Sequence, residues 1–260
     1  MARDGMSFDK YIDNPSGAAT VLTNRQMYKA MYKEKFEKVL IREQGVIKFV
    51  VYRSNDAYDS YYIYMKIPSE VIDKFYYDVV VRLFTNDNVK KTNGSLRPYA
   101  VQFYANDPAY VYTFAHSFAK NKLFIEDLKS KMSRKALNTV AKVKNPKDDV
   151  WYVKSLYFAY LTMEKYGLFN RPMLNQNAKL YDKRDLISRI TDADIKVQAR
   201  QDAQEKINRE NKQNKEREKK DRIAAERTNP HAVKTSKVSK ISNVVSHTKF
   251  TRNTKTTNKK

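Results

Sequence analysis

Residues Ser60 to Ile67 read SYYIYMKI, and Val46 to Arg53 before them read VIKFVVYR. Both runs are dense in β-branched and aromatic side chains, which pack well on a pleated surface, and the polar stretch Ser54 to Asp59 between them fits a hairpin loop. The two runs are therefore predicted to pair antiparallel. Working outward, Tyr76 to Thr85 (YYDVVVRLFT) supplies a third strand and Tyr99 to Tyr104 (YAVQFY) a fourth. The Asn93-Gly94 turn signal sits in the long loop Asn86 to Pro98 between them.

Helical spacing flanks this strand cluster. From a cap at Thr23 or Asn24, Met27, Met31, Val39 and Leu40 recur at helical intervals with Tyr28, Tyr32 and Phe36, predicting a helix over about Arg25 to Gln44 stopped by Gly45. Asn106-Asp107-Pro108 reads as a second helix start, a capping side chain followed by proline at the first helical position, with the helix running from Ala109 to Asn121. Short helices are expected at Leu123 to Met132 and Ser133 to Thr139, then a basic loop from Lys142 to Asp149. Val150 to Tyr166 is the most apolar helical stretch and is stopped by Gly167, which makes it the expected centre of the core. The fold class that follows is α+β, an antiparallel sheet of about four strands packed with several helices.

The ends are different in kind. Residues 1–22 contain the turn cluster Asn14-Pro15-Ser16-Gly17 and only Phe8, Tyr11 and Ile12 to bury, which suggests an arm that orders on contact. Residues 23–170 form the expected globular domain, and residues 171–228 a polar linker and charged helix. Within the latter, Asp185 to Arg227 has good helix formers but no sustained heptad, so a solvated helix is expected in place of a coiled coil. Asn229-Pro230 breaks it, and residues 229–260 should form a disordered basic tail without a single acid.

Charge and missing residues narrow the function. The 260 residues hold 51 Lys and Arg against 29 Asp and Glu, a net +22, which creates a field that attracts polyanions. A lysine-rich composition inherited from an AT-rich genome is the competing account. With no cysteine, disulfides, thiolate zinc sites and a nucleophilic thiol are excluded. Five glycines, placed singly, cannot build a phosphate-cradling glycine loop. The first 20 residues lack the apolar stretch of a signal peptide, and no window has the roughly 20 apolar residues of a membrane span.

Chemistry-bearing clusters are sparse. His231 and His247 fall in the tail, and His116, on an aromatic helix, reads as a satisfied core histidine. The pairs Glu126-Asp127 and Asp148-Asp149 point to different faces beside lysines and read as local charge balance. Asp56, Asp59, Asp78 and Asp107 could gather a metal only by meeting across loops and strand ends, and none is expected to; neither a cofactor nor a catalytic residue is expected. Two binding features stand out. In the Ser60 to Ile67 strand, Tyr62, Tyr64 and Lys66 share one face, a possible stacking platform for bases. With 19 tyrosines in the chain, the favoured reading is that both faces are covered and these rings are core or interface. In the tail, Lys234, Lys237, Lys240, Lys249, Arg252, Lys255, Lys259 and Lys260 would gain from releasing nucleic-acid counterions without needing structure. A solubilising terminus is the alternative.

Phe103 to Met132 (FYANDPAYVYTFAHSFAKNKLFIEDLKSKM), with Asn145-Pro146 and Val153 to Leu161 (VKSLYFAYL), resembles uncharacterised proteins of large tailed bacteriophages. The resemblance implies a virion setting in the head or neck region, where DNA is packed, and carries over no site residue. The expected function is a non-enzymatic structural or assembly protein of the virion, contacting neighbouring subunits and packaged DNA, with no membrane and no small-molecule substrate. The alternative is a non-specific nucleic-acid-binding protein in replication, transcription or packaging. Either would reside in the virion or the host cytoplasm.

Overall fold

The computed structural model describes residues 5–13, 22–54 and 58–228. The chain divides into two compact units, Met1–Gln204 and Glu205–Lys260. The tail from His231 to Lys260, with its eight cations, lies outside the described residues, as do Asp56 and the turn cluster Asn14 to Gly17.

The first unit is built on a five-stranded sheet of order β4-β3-β2-β1-β5, comprising β1 (Phe49–Ser54), β2 (Ser60–Pro68), β3 (Tyr76–Phe84), β4 (Ala100–Ala105) and β5 (Lys179–Leu180). The first four pair antiparallel as their patterns predict, with Tyr52 opposite Tyr62 and Tyr62 opposite Arg82. The fifth was not expected. It is two residues long and lies parallel to β1, with Tyr52 opposite Lys179, too short to leave a pattern in the sequence.

Nearly every residue of β2 and β3 is buried, so the sheet is covered on both faces. On one face Phe103 of β4 meets Phe8 and Tyr11 of α1 (Phe8–Asp13), each at 4.9 Å between ring centroids, and Phe118 of α3 (Ala115–Lys120) at 5.9 Å. Helix α5 (Lys154–Lys165) packs on β2, β3 and β4, and its Phe158 meets Phe36 of α2 (Leu22–Arg42). The residues expected to bury in the N-terminal arm do so: Phe8 and Tyr11 are fully enclosed, and the Tyr11 hydroxyl donates to the Trp151 carbonyl. Helix α6 (Arg171–Asn177) reaches that same face, where Asn175 takes the Tyr61 hydroxyl, whereas the opposite face, that of Tyr62 and Tyr64, is covered by Tyr181, α7 (Lys183–Arg189) and the start of α8 (Ala193–Thr228). The composition of residues 171–228 predicts a polar linker and charged helix, yet Leu186, Ile190 and Val197 are buried in the core. Widely spaced apolar residues suffice because each drops singly onto the sheet.

Helix ends follow local chemistry. After α5, Gly167 takes φ +64°, with Leu168 N–H bonding the Met163 carbonyl and Gly167 N–H the Glu164 carbonyl, the paired bonds that close a helix through a left-handed residue. At the end of α2 the same pair of bonds forms, but Gln44 occupies the left-handed position at φ 53° and Gly45 is the residue after it. The segment Leu123 to Met132 is only partly helical. It pairs Phe124 with Phe103 as a parallel bridge before a 3-10 turn at Glu126–Lys131, and α4 (Arg134–Asn138) follows.

Candidate functional site

The helix predicted from Asp107-Pro108 begins there. Asp107 Oδ1 accepts from the backbone N–H groups of Ala109 and Tyr110, each at 3.1 Å, so the capping role read from the sequence is the observed one. The next residues, Tyr110–Phe114, form a π-helical turn in which Ala115 N–H reaches the Tyr110 carbonyl. Such turns recur at functional sites because the wider backbone re-aims side chains. Here Tyr112 is turned half into solvent. Asn145 Nδ2 lies 3.4 Å from the Thr113 carbonyl, holding the basic loop against the turn.

A cavity of about 440 Å³ lies beside this turn, with Asp107, Tyr112, Phe158 and Tyr77 in its wall together with the cations Lys144, Lys154 and Arg200. The cations come from the basic loop, the first residue of α5 and the early part of α8. Lys154 is held by Glu70 at 2.8 Å, and Glu70 also meets Lys35 at 3.1 Å. Partial burial would raise the Glu70 carboxyl, but these two lysines bring it below its ordinary value. Arg200 donates from Nε to the Tyr77 hydroxyl at 2.9 Å. The Asp107 carboxyl is turned inward, where its second oxygen accepts from the Ser155 hydroxyl, and burial raises its pKa. A second, smaller cavity of about 160 Å³ shares Tyr112 and Thr113 with the first and is lined by His116. His116 is only partly buried. Its Nδ1 lies 2.9 Å from Asp148, whose other oxygen takes Lys120 at 3.0 Å, so the histidine is satisfied at the rim of the core.

The predicted stacking face is closed. Tyr62 and Tyr64 are 2% and 4% exposed, and only Lys66 of the three reaches solvent. Tyr62 lies under Tyr181, and the Tyr64 hydroxyl sits 2.8 Å from Asp78 and 3.0 Å from the Arg189 carbonyl. These rings hold α7 to the sheet and offer no platform to a base, in line with the reading that both sheet faces are covered.

The spaced acids are dispersed into separate structural networks. Asp59 pairs with Arg171 at 3.0 Å in a buried ion pair, Asp78 binds Asn106 and the Thr191 N–H, and Asp107 caps the π-helical turn. Among the described residues there is no cluster of three metal-ligating side chains. The adjacent pairs read as local charge balance do have lysine partners: Glu126 meets Lys129, Asp127 meets Lys183 and Asp148 meets Lys120. Lys144, Lys154 and Arg200 lie in three unrelated stretches of sequence, and only the basic loop around Asn145-Pro146 marks any of them.

The second unit carries the other candidate feature. Every residue from 208 to 225 of α8 is exposed, and residues 205–260 hold seventeen Lys and Arg against six acids. The helix has no apolar face. Charged pairs one turn apart support it, as where Arg209 meets Glu205 at 3.3 Å. No helix among the described residues is long and apolar enough to cross a membrane. No protein-family model, curated protein or solved structure matches the chain.

Proposed function

We propose that this chain is a non-enzymatic structural or assembly protein that uses its folded unit for protein contacts and its cationic C-terminal unit to hold nucleic acid. The observation that carries this reading is the distribution of charge. Half of the net +22 falls in residues 205–260, and the described helical part of that stretch buries nothing over residues 208–225. A helix that presents cations all round can follow a phosphate backbone in any register, and the binding it gives is insensitive to base sequence. The particle we propose is the virion of a large tailed bacteriophage, on the resemblance carried by Phe103 to Met132 and Val153 to Leu161.

Fluorescence anisotropy of the full chain on duplex DNA of random sequence, measured across a KCl series, tests the nucleic-acid half. Affinity should fall steeply as salt rises. Replacing the eight tail cations from Lys234 to Lys260 with glutamine should flatten the slope of log K against log salt by up to about 7, since each neutralised phosphate contact contributes about 0.9. Binding that ignores salt, or a slope unchanged by those substitutions, would overturn it. For the assembly half, mass spectrometry of salt-washed virions should retain the chain.

A further inference from the structure

We propose that the cavity between the π-helical turn, the start of α5 and the early part of α8 binds a phosphate-bearing small ligand of mononucleotide size. Three cations from three separate stretches, Lys144, Lys154 and Arg200, line one volume of about 440 Å³. Gathering like charges round a space costs energy unless an anion enters it. Among the described residues no carboxylate pairs with Lys144 or Arg200, and the Glu70 that pairs with Lys154 is shared with Lys35. The carboxyl in the wall, Asp107, has both oxygens engaged, by two backbone N–H groups and by Ser155. With three hydrogen bonds taken and only 7% of the residue exposed, it offers the three cations no ion-pair partner.

Chemistry and size choose among anions. A carboxylate brings one charge, whereas a phosphate monoester carries about −1.5 to −2 at neutral pH and several acceptor oxygens, the better match to three cations. The same wall presents Tyr112, Tyr77 and Phe158, flat or apolar surfaces that suit the non-phosphate part of a ligand. The volume lies within the roughly 300–1,000 Å³ of small-molecule sites. This goes beyond the expectation that no small molecule is bound. It concerns the first unit alone, so it can fail while DNA binding by the second stands, and the reverse.

Calorimetric titration of the full chain with AMP, and separately with inorganic phosphate, in about 0.15 M KCl is the test. AMP should bind saturably at one site per chain, with inorganic phosphate competing. The double substitution Lys144→Gln with Arg200→Gln should weaken AMP at least tenfold, while Lys255→Gln with Lys259→Gln should leave it unchanged. Should the pocket variant fold poorly by circular dichroism, Tyr112→Ala at its half-exposed position serves instead, weakening AMP severalfold with little effect on inorganic phosphate. The proposal is overturned by absence of saturable binding, by inorganic phosphate binding without AMP, or by equal losses in pocket and tail variants, which would mean general attraction to a cationic protein.

Discussion

Tyr62 of β2 stacks face to face on Tyr181, ring centroids 4.1 Å apart and planes within 10°, and both hydroxyls reach the same oxygen of Asp127, at 3.3 and 2.9 Å. The other Asp127 oxygen takes Lys183 at 2.8 Å. One carboxylate thus ties the 3-10 turn, the sheet and the start of α7 together. Tyr52 repeats the device by donating to Asp185 at 2.7 Å, and Tyr64 repeats it at the far end of α7. The tyrosines of this face act as hydrogen-bonded pegs for a stretch of chain that is short of apolar residues.

The pegs can be weighed. Tyr181→Phe keeps the stack and loses one hydrogen bond to a charged acceptor, so it should destabilise by about 1–2 kcal/mol. Tyr181→Ala loses the stack as well and should cost about 2–4 kcal/mol. Urea unfolding followed by the fluorescence of Trp151 measures both. Equal costs for the two substitutions would show that the ring contributes nothing and that only the hydroxyl matters.

The buried ion pair between Arg171 and Asp59 predicts a different pattern. Their side chains are 6% and 8% exposed, and Arg171 also donates to the Tyr99 hydroxyl and the Thr92 carbonyl. Arg171→Met leaves the carboxylate only the Tyr99 hydroxyl at 2.7 Å and Arg53 at 3.8 Å and should cost about 3 kcal/mol, because desolvation of the remaining charge is no longer fully offset. Adding Asp59→Leu should recover most of that loss. A double variant as unstable as the single one would mean that the backbone links of Arg171, and not its charge, hold this corner.

Gly167 makes a smaller, local prediction. It sits at φ +64°, and an added Cβ would meet the Met173 sulfur at 3.0 Å. Gly167→Ala should cost about 1–2 kcal/mol through the left-handed conformation alone. Met173 is partly exposed and can move aside, so Met173→Ala in the same background should restore little. Full rescue by that second change would place the cost in the contact instead of the backbone.

How far these features were legible depends on what each leaves in sequence. The four long strands could be read because β-branched and aromatic runs leave a pattern, and the Asp107-Pro108 helix start because capping is local. Strand β5 could not, since Lys179 and Leu180 owe their pairing to Tyr52 and Arg53 far away in the chain. The π-helical turn is indistinguishable in sequence from ordinary helix, because its residues differ in no obvious way from α-helix formers. The closed tyrosine face was legible only as one of two readings, for alternation places Tyr62 and Tyr64 on a face without saying what lies above it. The cationic cavity was illegible because its three cations meet only through tertiary packing.

Two buried carboxyls should respond to pH in opposite directions. Burial raises Asp107 above its ordinary 3.8, and the hydrogen bonds from Ser155 and the backbone only partly offset this. Between that ordinary value and the raised one, the native state keeps a proton that the unfolded chain has released, so this group makes stability fall as pH rises through the window. Asp107→Asn retains an acceptor for the cap and does not titrate; the variant should therefore gain on the wild type as pH climbs above 3.8 towards the raised value. Burial would also raise Asp148, but His116 and Lys120 more than reverse it and hold that carboxyl below 3.8. Its stabilisation is present above the ordinary value and is lost as pH falls through the lowered one. Asp148→Asn should thus be the less stable protein at pH 7 and converge on the wild type in acid. Urea midpoints taken every half unit of pH separate the two, and parallel curves for wild type and Asp107→Asn would show that Asp107 stays ionised throughout.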